Sequence, residues 1–207
     1  MRLTSARQFR AIAGTACLAA LIVQFILLLE LLNGDVGAAA LRFLTYFTLL
    51  SNVAGAAAFL FPALAPQSSA GTFLARPSVR TATTLYLLVV GGVYHTILAS
   101  RWDPQGWQLA ADIALHTISP LAMLFDWLFL TPKRGLKLAL LPPALLFPAA
   151  FGVFALLQGA VTGFYPYPFV DVTALGLARV MLNLLMLLML FTLLGASMII
   201  AGRRFAR

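Results

Sequence analysis

Apolar residues fill this chain in six long blocks, and Gly, Pro and polar residues separate the blocks. Each block has about the 20 apolar residues that an α-helix needs to cross a bilayer core about 30 Å thick. Runs such as LIVQFILLLELL and LLMLLMLFTLL lack the strict alternation of transmembrane barrel strands. The pattern therefore predicts an all-α integral membrane protein, a six-transmembrane-helix bundle that forms a single domain over residues 1–207. The predicted spans are 9–32, 41–64, 79–99, 107–130, 138–157 and 175–201.

The composition supports lipid as the solvent for most of the chain. Hydrophobic residues make up 62% of the sequence and charged residues only 10%, against about 25% charged residues in soluble domains. A soluble enzyme, a disordered chain and a nucleic-acid-binding domain are excluded on this ground. The single cysteine, Cys17, excludes a disulfide-stabilised scaffold, because it has no partner within the chain.

The basic residues predict the orientation of the spans. Eleven of the fourteen Lys and Arg residues fall at one set of span ends, and by the positive-inside rule these ends and both termini are cytoplasmic. The same rule explains the net charge of +8 without a nucleic-acid partner. The eleven residues are Arg2, Arg7, Arg10, Arg76, Arg80, Lys133, Arg134, Lys137, Arg203, Arg204 and Arg207.

Polar side chains occur inside four of the predicted spans at one shared depth, the outer half of the membrane. Ionisable and amide side chains are costly in lipid and usually face the interior of a bundle, so their shared depth predicts a polar site that opens to the outside. These residues are Thr45, Thr48, Asn52, His95, Asp112, His116, Arg179 and Asn183. In the inner half the main polar residue is Asp126, for which Lys133 or Arg134 is the expected counter-ion.

The candidate chemistry combines a base with a hydroxyl group. Asp112 and His116 are four residues apart, so a helix places them on one face, where the carboxylate can orient the imidazole as a general base. Thr45, Thr48 and Asn52 form one stripe of the second span. A threonine hydroxyl becomes a nucleophile when a base removes its proton. Asn52 can donate to an oxyanion or hold a neighbouring helix.

The remaining candidate residues are predicted to contact a substrate. The outer loop before the last span alternates aromatic residues with proline, which is typical of a rigid lid or of an interfacial aromatic belt. His95 lacks a carboxylate one turn away and is expected to matter less than His116. Arg179 can hold a substrate carboxylate or pair with Asp171 or Asp112. The predicted substrate-binding set is Asn52, His95, Tyr165, Tyr167, Arg179 and Asn183. No zinc-site or nucleotide motif is present, so neither a metal nor an organic cofactor is predicted.

Three segments give the chain a family resemblance: RFLTYFTLLSN at 42–52, WQLAADIALHTISPLAMLFDWLF at 107–129 and GFYPYPFVDV at 163–172. With these segments, and over nearly its whole length, the chain resembles the androgen-induced and androgen-dependent TFPI-regulating protein family, in its bacterial branch of small six-span proteins. Animal members of that family are membrane hydrolases of fatty acid esters of hydroxy fatty acids, and they use a threonine nucleophile and a histidine.

The resemblance implies a threonine hydrolase of a bacterial inner membrane, a lipid esterase whose substrate is a membrane lipid. His116 matches the family histidine in the HTISP piece, and Thr45 matches the family threonine in the FLT piece. Thr48, one turn away, is an alternative match, and the sequence does not separate the two. One competing hypothesis is a non-catalytic binding protein or small transporter for a lipid, quinone or haem. Another is a structural subunit whose polar groups only hold helices together.

Overall fold

The computed structural model describes the backbone of residues 3–205 and the side chains of residues 5–203, and all regular structure in this range is helical. Arg2 and Arg207, which contributed to the predicted orientation, lie outside the described residues, and the Arg204 side chain lies outside the described side chains.

Six helices of the described range are long and apolar enough to cross a membrane, which confirms the predicted number. We label these segments α1 to α6. Their bounds are Ser5–Leu31, Phe47–Leu64, Pro77–Arg101, Gly106–Leu130, Leu138–Thr162 and Leu177–Arg203. The helix containing α1 begins at Leu3, and the helix containing α6 ends at Phe205. Short α-helices occupy Val36–Leu44, Ser69–Leu74 and Val172–Leu175, and a 3₁₀ turn occupies Pro168–Val170.

The predicted second span, 41–64, is interrupted by a break in the backbone. The short helix Val36–Leu44 is followed by its C-cap residue Thr45. Tyr46 is extended, and α2 begins only at Phe47. At the break the Thr45 hydroxyl and the Thr45 backbone N–H both donate to the Arg42 carbonyl. Apolar residues continue across the break, so hydropathy alone gives no sign of it. The predicted start of the second span was therefore wrong by about six residues.

Two of the long helices contain π-helical turns. One turn occupies Tyr94–Leu98 in α3, and two occupy Ala114–Ile118 and Asp126–Leu130 in α4. Each turn contains or adjoins an ionisable residue of the predicted polar clusters. Because π turns are rare and frequently occur at functional sites, these three segments mark the parts of the bundle that need a chemical explanation.

The helices pack as a group of four with a peripheral pair. The α1 helix packs most extensively against α2, α2 also packs against α3, and α4 packs against both α3 and α1. The α6 helix packs against α3, and α5 packs against α6. Close approach depends on small residues. A Cβ on Gly91 of α3, for example, would lie 3.0 Å from the His116 carbonyl oxygen of α4.

Candidate functional site

The predicted pair of Asp112 and His116 is formed in α4. The His116 Nδ1 atom lies 3.2 Å from Asp112 Oδ1 and 3.1 Å from the Asp112 carbonyl oxygen. The Asp112 side chain is buried, and the His116 side chain is about one-sixth exposed. The carboxylate therefore fixes the orientation of the imidazole, as it does when a histidine acts as a general base.

Tyr94 of α3 completes this group and was not among the predicted site residues. Its hydroxyl donates to Asp112 Oδ2 at 2.5 Å, and its ring stacks on the His116 imidazole with centroids 3.9 Å apart and planes at 14°. Among the described residues, no hydrogen bond occupies His116 Nε2. Tyr94 and Asp112 thus hold the imidazole on one face and at one nitrogen, and they leave the other nitrogen for a reacting proton.

The two candidate nucleophiles lie on either side of the break before α2. Thr45 is buried, and its hydroxyl donates to the Arg42 carbonyl at 2.7 Å. Thr48 is buried in the first turn of α2, where its backbone N–H donates to the Tyr167 hydroxyl at 3.3 Å. Within the described chain, neither threonine hydrogen-bonds to His116. A reaction with either hydroxyl therefore requires a change of rotamer or a bound substrate between the groups.

Asn52 connects the threonine segment to the histidine segment. Its Nδ2 atom donates to the Thr48 carbonyl at 2.9 Å and to the Leu115 carbonyl at 3.1 Å. Both amide hydrogens are therefore in use, and Asn52 Oδ1 lies 3.5 Å from the Cys17 thiol. This geometry matches the second of its two predicted roles, holding a neighbouring helix, and it brings the backbone beside His116 next to the first turn of α2.

His95 takes part in a different contact from the one expected at a substrate site. Its Nε2 atom lies 3.0 Å from the Thr117 hydroxyl, and its side chain is exposed. This is the one hydrogen bond between a threonine hydroxyl and an imidazole in the described chain. Thr117 was not singled out from the sequence, although it directly follows His116 in the HTISP piece. Hydropathy and spacing gave no reason to pair it with a histidine 22 residues away.

Arg179 and Asn183 lie on α6 but do not join the histidine group. Arg179 is exposed and forms no ion pair with Asp171 or Asp112 among the described side chains. Asn183 donates to the Phe169 carbonyl at 2.8 Å and thereby fastens the 165–171 loop to α6. Asp171 caps the next short helix, and its hydrogen bonds from the Thr173 hydroxyl and neighbouring N–H groups lower the pKa of its carboxyl.

The 165–171 loop reaches into the bundle through Tyr167. The Tyr167 ring stacks on Phe169 with centroids 5.2 Å apart, and its hydroxyl lies at the first turn of α2 beside Thr48. Burial raises the pKa of Tyr167 to about 12, so the phenol keeps its proton at neutral pH. The Tyr165 ring packs against Gly159 of α5. The loop therefore covers this end of the bundle, as the lid interpretation expects.

A cavity of about 270 Å³ lies beneath the loop, between α2, α3, α5 and α6. Its walls are apolar and rich in aromatic rings, and the polar side chains that line it are Thr48 and Tyr167. Asp112, His116 and Tyr94 do not line it. The structure thus separates the predicted polar site into a histidine group between α3 and α4 and an apolar cavity on the other side of α3.

A second polar group lies at the opposite end of α4. Asp126 is fully buried, with Oδ1 2.6 Å from Arg10 Nε and Oδ2 2.8 Å from both Arg80 Nε and the Thr131 hydroxyl. Arg80 also forms an ion pair with Asp126 through its terminal nitrogen. The counter-ions are therefore Arg10 and Arg80, and the expectation of Lys133 or Arg134 was wrong.

Lys133 instead donates to the Leu128 and Thr131 carbonyls, and its ammonium lies 5.0 Å from the centre of the Trp127 ring. Burial lowers the pKa of Lys133. The ammonium group is thus engaged by carbonyl groups two and five residues earlier in the chain instead of by the Asp126 carboxylate.

Comparisons with known proteins do not identify the chain. No protein-family model matches it, and neither a curated protein nor a solved structure does. Among the described residues, no group of three or more His, Cys, Asp or Glu side chains is placed to hold a metal ion.

Proposed function

We propose that this protein is a multi-pass integral membrane enzyme that hydrolyses lipid esters, with both termini in the cytoplasm of a bacterium. The observation that carries the proposal is the oriented imidazole of His116, which has Asp112 on Nδ1, the Tyr94 ring on one face and an uncommitted Nε2. An ionisable side chain inside a membrane span is by default a functional-site hypothesis. This arrangement leaves one nitrogen for proton transfer.

The proposed reaction is an acyl transfer through a threonine ester. The hydroxyl of Thr45 or Thr48 attacks the ester carbonyl of the lipid while His116 Nε2 takes its proton, and the Asp112 carboxylate stabilises the imidazolium. The imidazolium then gives this proton to the leaving alcohol. A water molecule, deprotonated by the same nitrogen, then attacks the acyl-threonine carbonyl; the bond to the threonine oxygen breaks, this oxygen takes the proton from the imidazolium, and the carboxylic acid is released.

The position of the group suits a substrate dissolved in the bilayer. Asn52 ties the first turn of α2 to the residue before His116, so both reacting segments belong to one rigid part of the bundle. Rigid placement of catalytic groups accounts for much of the rate enhancement in enzymes. A substrate that enters from the lipid also reaches a buried group without crossing water.

The test is covalent labelling combined with matched variants. Purified protein in detergent is treated with a fluorophosphonate probe, and the modified residue is identified by mass spectrometry. We expect the adduct on Thr45 or Thr48, loss of the adduct in the corresponding Ala variant, and loss of ester hydrolysis by several orders of magnitude in His116→Ala. Thr192→Ala is the matched control, because its hydroxyl also donates to its own helix backbone but on α6.

Two results would contradict the assignment. Full activity in both Thr45→Ala and Thr48→Ala removes the 45–48 segment as the source of the nucleophile, and an adduct on Thr117 would transfer that role to the pair with His95. Wild-type and Thr192→Ala protein that neither hydrolyse any lipid ester nor react with the probe would favour the second candidate, a non-catalytic lipid-binding protein or small transporter. The apolar cavity beneath the 165–171 loop is the observation that supports this second candidate.

A further inference from the structure

The cavity beneath the 165–171 loop is polar at one end and apolar elsewhere. Its polar side chains are Thr48 and Tyr167, which meet at the first turn of α2. The other lining side chains are apolar and include Phe47, Phe151 and Phe191. Ligand sites commonly combine an apolar body with a small number of convergent polar groups, and this cavity has that arrangement.

The polar end of the cavity favours a hydrogen-bond acceptor. Tyr46, the residue that precedes α2, makes no side-chain capping hydrogen bond, and the Tyr167 phenol instead accepts from the Thr48 backbone N–H. The Thr48 side chain also hydrogen-bonds to the phenol oxygen, so the phenol proton is the donor that remains for a ligand, and the positive end of the α2 dipole lies beside it. Among the side chains that the structure describes, no basic one lines the cavity. The groups at this end therefore fit a carbonyl or carboxylate oxygen better than a cationic head group.

The cavity also reaches the outer surface of the bundle. Val153 of α5, and Met181 and Leu185 of α6, line it and are at the same time exposed on the outside of the chain. Apolar side chains on the outside of a helix with this hydropathy face lipid. A ligand that is already dissolved in the bilayer can therefore reach the cavity between α5 and α6.

We propose that this cavity binds a membrane-dissolved molecule with an apolar body and one carbonyl or carboxylate group at its end, and that this oxygen lies between Thr48 and Tyr167. The site is distinct from the histidine group, because Asp112, His116 and Tyr94 do not line it. The inference rests on the second candidate function, a lipid-binding protein, and the site shares Thr48 with the proposed reaction, but binding in the cavity does not depend on hydrolysis. A fatty acyl compound and a quinone both have the required chemistry.

The test measures binding of radiolabelled palmitate to the His116→Ala protein in nanodiscs, where turnover cannot interfere. Palmitate methyl ester and hexadecane compete as analogues with and without the oxygen-bearing end, and decylubiquinone competes as the quinone. We expect hexadecane to compete at least about tenfold more weakly than the ester, since it leaves the donors unpaired. The stronger competitor of palmitate methyl ester and decylubiquinone identifies the source of the ligand.

Variants locate the binding site. Leu184→Trp fills the cavity and is expected to abolish binding, whereas Leu193→Trp, at an exposed position of the same helix away from the cavity, is expected to leave binding unchanged. Tyr167→Phe removes one donor and is expected to weaken binding about three- to tenfold. If Leu184→Trp does not fold, Gly152→Val obstructs the same space from α5.

Three outcomes would overturn the proposal. Equal competition by hexadecane and the methyl ester would show that no ligand oxygen is bound at Thr48 and Tyr167. Equal binding by the Leu184→Trp and Leu193→Trp proteins would remove the cavity as the site. If palmitate binding is not saturable and none of the compounds competes, the cavity does not bind apolar molecules with a carbonyl or carboxylate end. All three outcomes are measured by binding to the His116→Ala protein, so failure of this proposal is distinguishable from failure of the proposed hydrolysis, which is measured by labelling and turnover of the wild type.

Discussion

Two aspartates of α4 have the same side chain and similar burial but opposite surroundings. Asp112 is 6% exposed and Asp126 is fully buried, and each lies in or beside a π turn. Every oxygen of Asp126 is bound by a guanidinium group or by the Thr131 hydroxyl. Asp112 instead binds a tyrosine hydroxyl and a histidine whose second nitrogen is uncommitted.

The difference separates a structural group from one that we propose is reactive. Two arginines surround the single carboxylate of Asp126, and the Arg80 side chain, itself 1% exposed, also donates to the Ala58 carbonyl of α2. These contacts join α1, α2, α3 and α4 at one point. At the other end of α4 the contacts of Asp112 orient one ring. Burial of a carboxylate therefore does not by itself indicate function. A partner with an unused hydrogen-bonding atom, as in His116, is the better guide.

The largest effect is expected from Asp126→Asn. The change removes the negative charge and leaves the buried Arg80 and the half-buried Arg10 with no counter-ion, and loss of one partner of a buried ion pair typically costs about 3–5 kcal/mol. We expect a large drop in the melting temperature in detergent or failure to recover folded protein. Asp103→Asn, at an exposed position in the loop between α3 and α4, is the control and should melt like the wild type. A melting temperature close to wild type for Asp126→Asn would mean that the ion pair is not the structural joint described above.

The second largest effect is expected from Asp112→Asn, which should lower the rate of ester hydrolysis more than it lowers stability. The variant keeps the size of the side chain and its acceptor for the Tyr94 hydroxyl, but it removes the charge that stabilises an imidazolium at His116. We expect ester hydrolysis to fall about 100-fold, while the melting temperature changes far less than in Asp126→Asn. The measurement is the turnover number together with the melting curve of the same preparation. If Asp112→Asn instead loses stability and retains turnover, the two aspartates have the same structural role.

The fold and part of the site were accessible from the sequence because both depend on local patterns. Six apolar blocks predicted six helices, and a four-residue spacing predicted the contact between Asp112 and His116. Hydropathy averages over about 20 residues, so it missed the break at Thr45 and Tyr46, where the apolar character of the chain does not change.

Contacts between helices were not accessible in the same way. Arg80 was counted as a basic residue at a cytoplasmic end, and its position near a span end is correct, but its partner lies 46 residues further along the chain. Tyr94 was not among the predicted site residues. A tyrosine near a membrane interface is usually explained by the aromatic belt. Both contacts depend on how the helices are rotated about their axes, and one sequence contains no direct measure of that rotation.

The smallest effect is expected from alanine substitutions of two adjacent glycines of α3, which test how tightly α3 packs against the His116 segment of α4. A Cβ on Gly91 would lie 3.0 Å from the His116 carbonyl oxygen and 3.4 Å from Pro120 Cβ, whereas a Cβ on Gly92 would meet no atom within 4 Å. Both Ala variants gain about 1 kcal/mol of helix propensity, so a comparison of the two isolates the cost of the contact. We expect Gly91→Ala to be less stable than Gly92→Ala by about 1–3 kcal/mol, the usual cost of overpacking.

The same pair also reports on the position of His116. Because neither the Pro120 ring nor the His116 backbone can rotate away, the extra methyl group of Gly91→Ala must displace α4 by a few tenths of an ångström, and catalytic rates are sensitive to displacements of about 1 Å. We expect about a tenfold loss of ester hydrolysis in Gly91→Ala and none in Gly92→Ala, measured as turnover at saturating substrate. Equal turnover in both variants would show that the imidazole tolerates movement of its helix, and that Asp112 and Tyr94 alone determine its orientation.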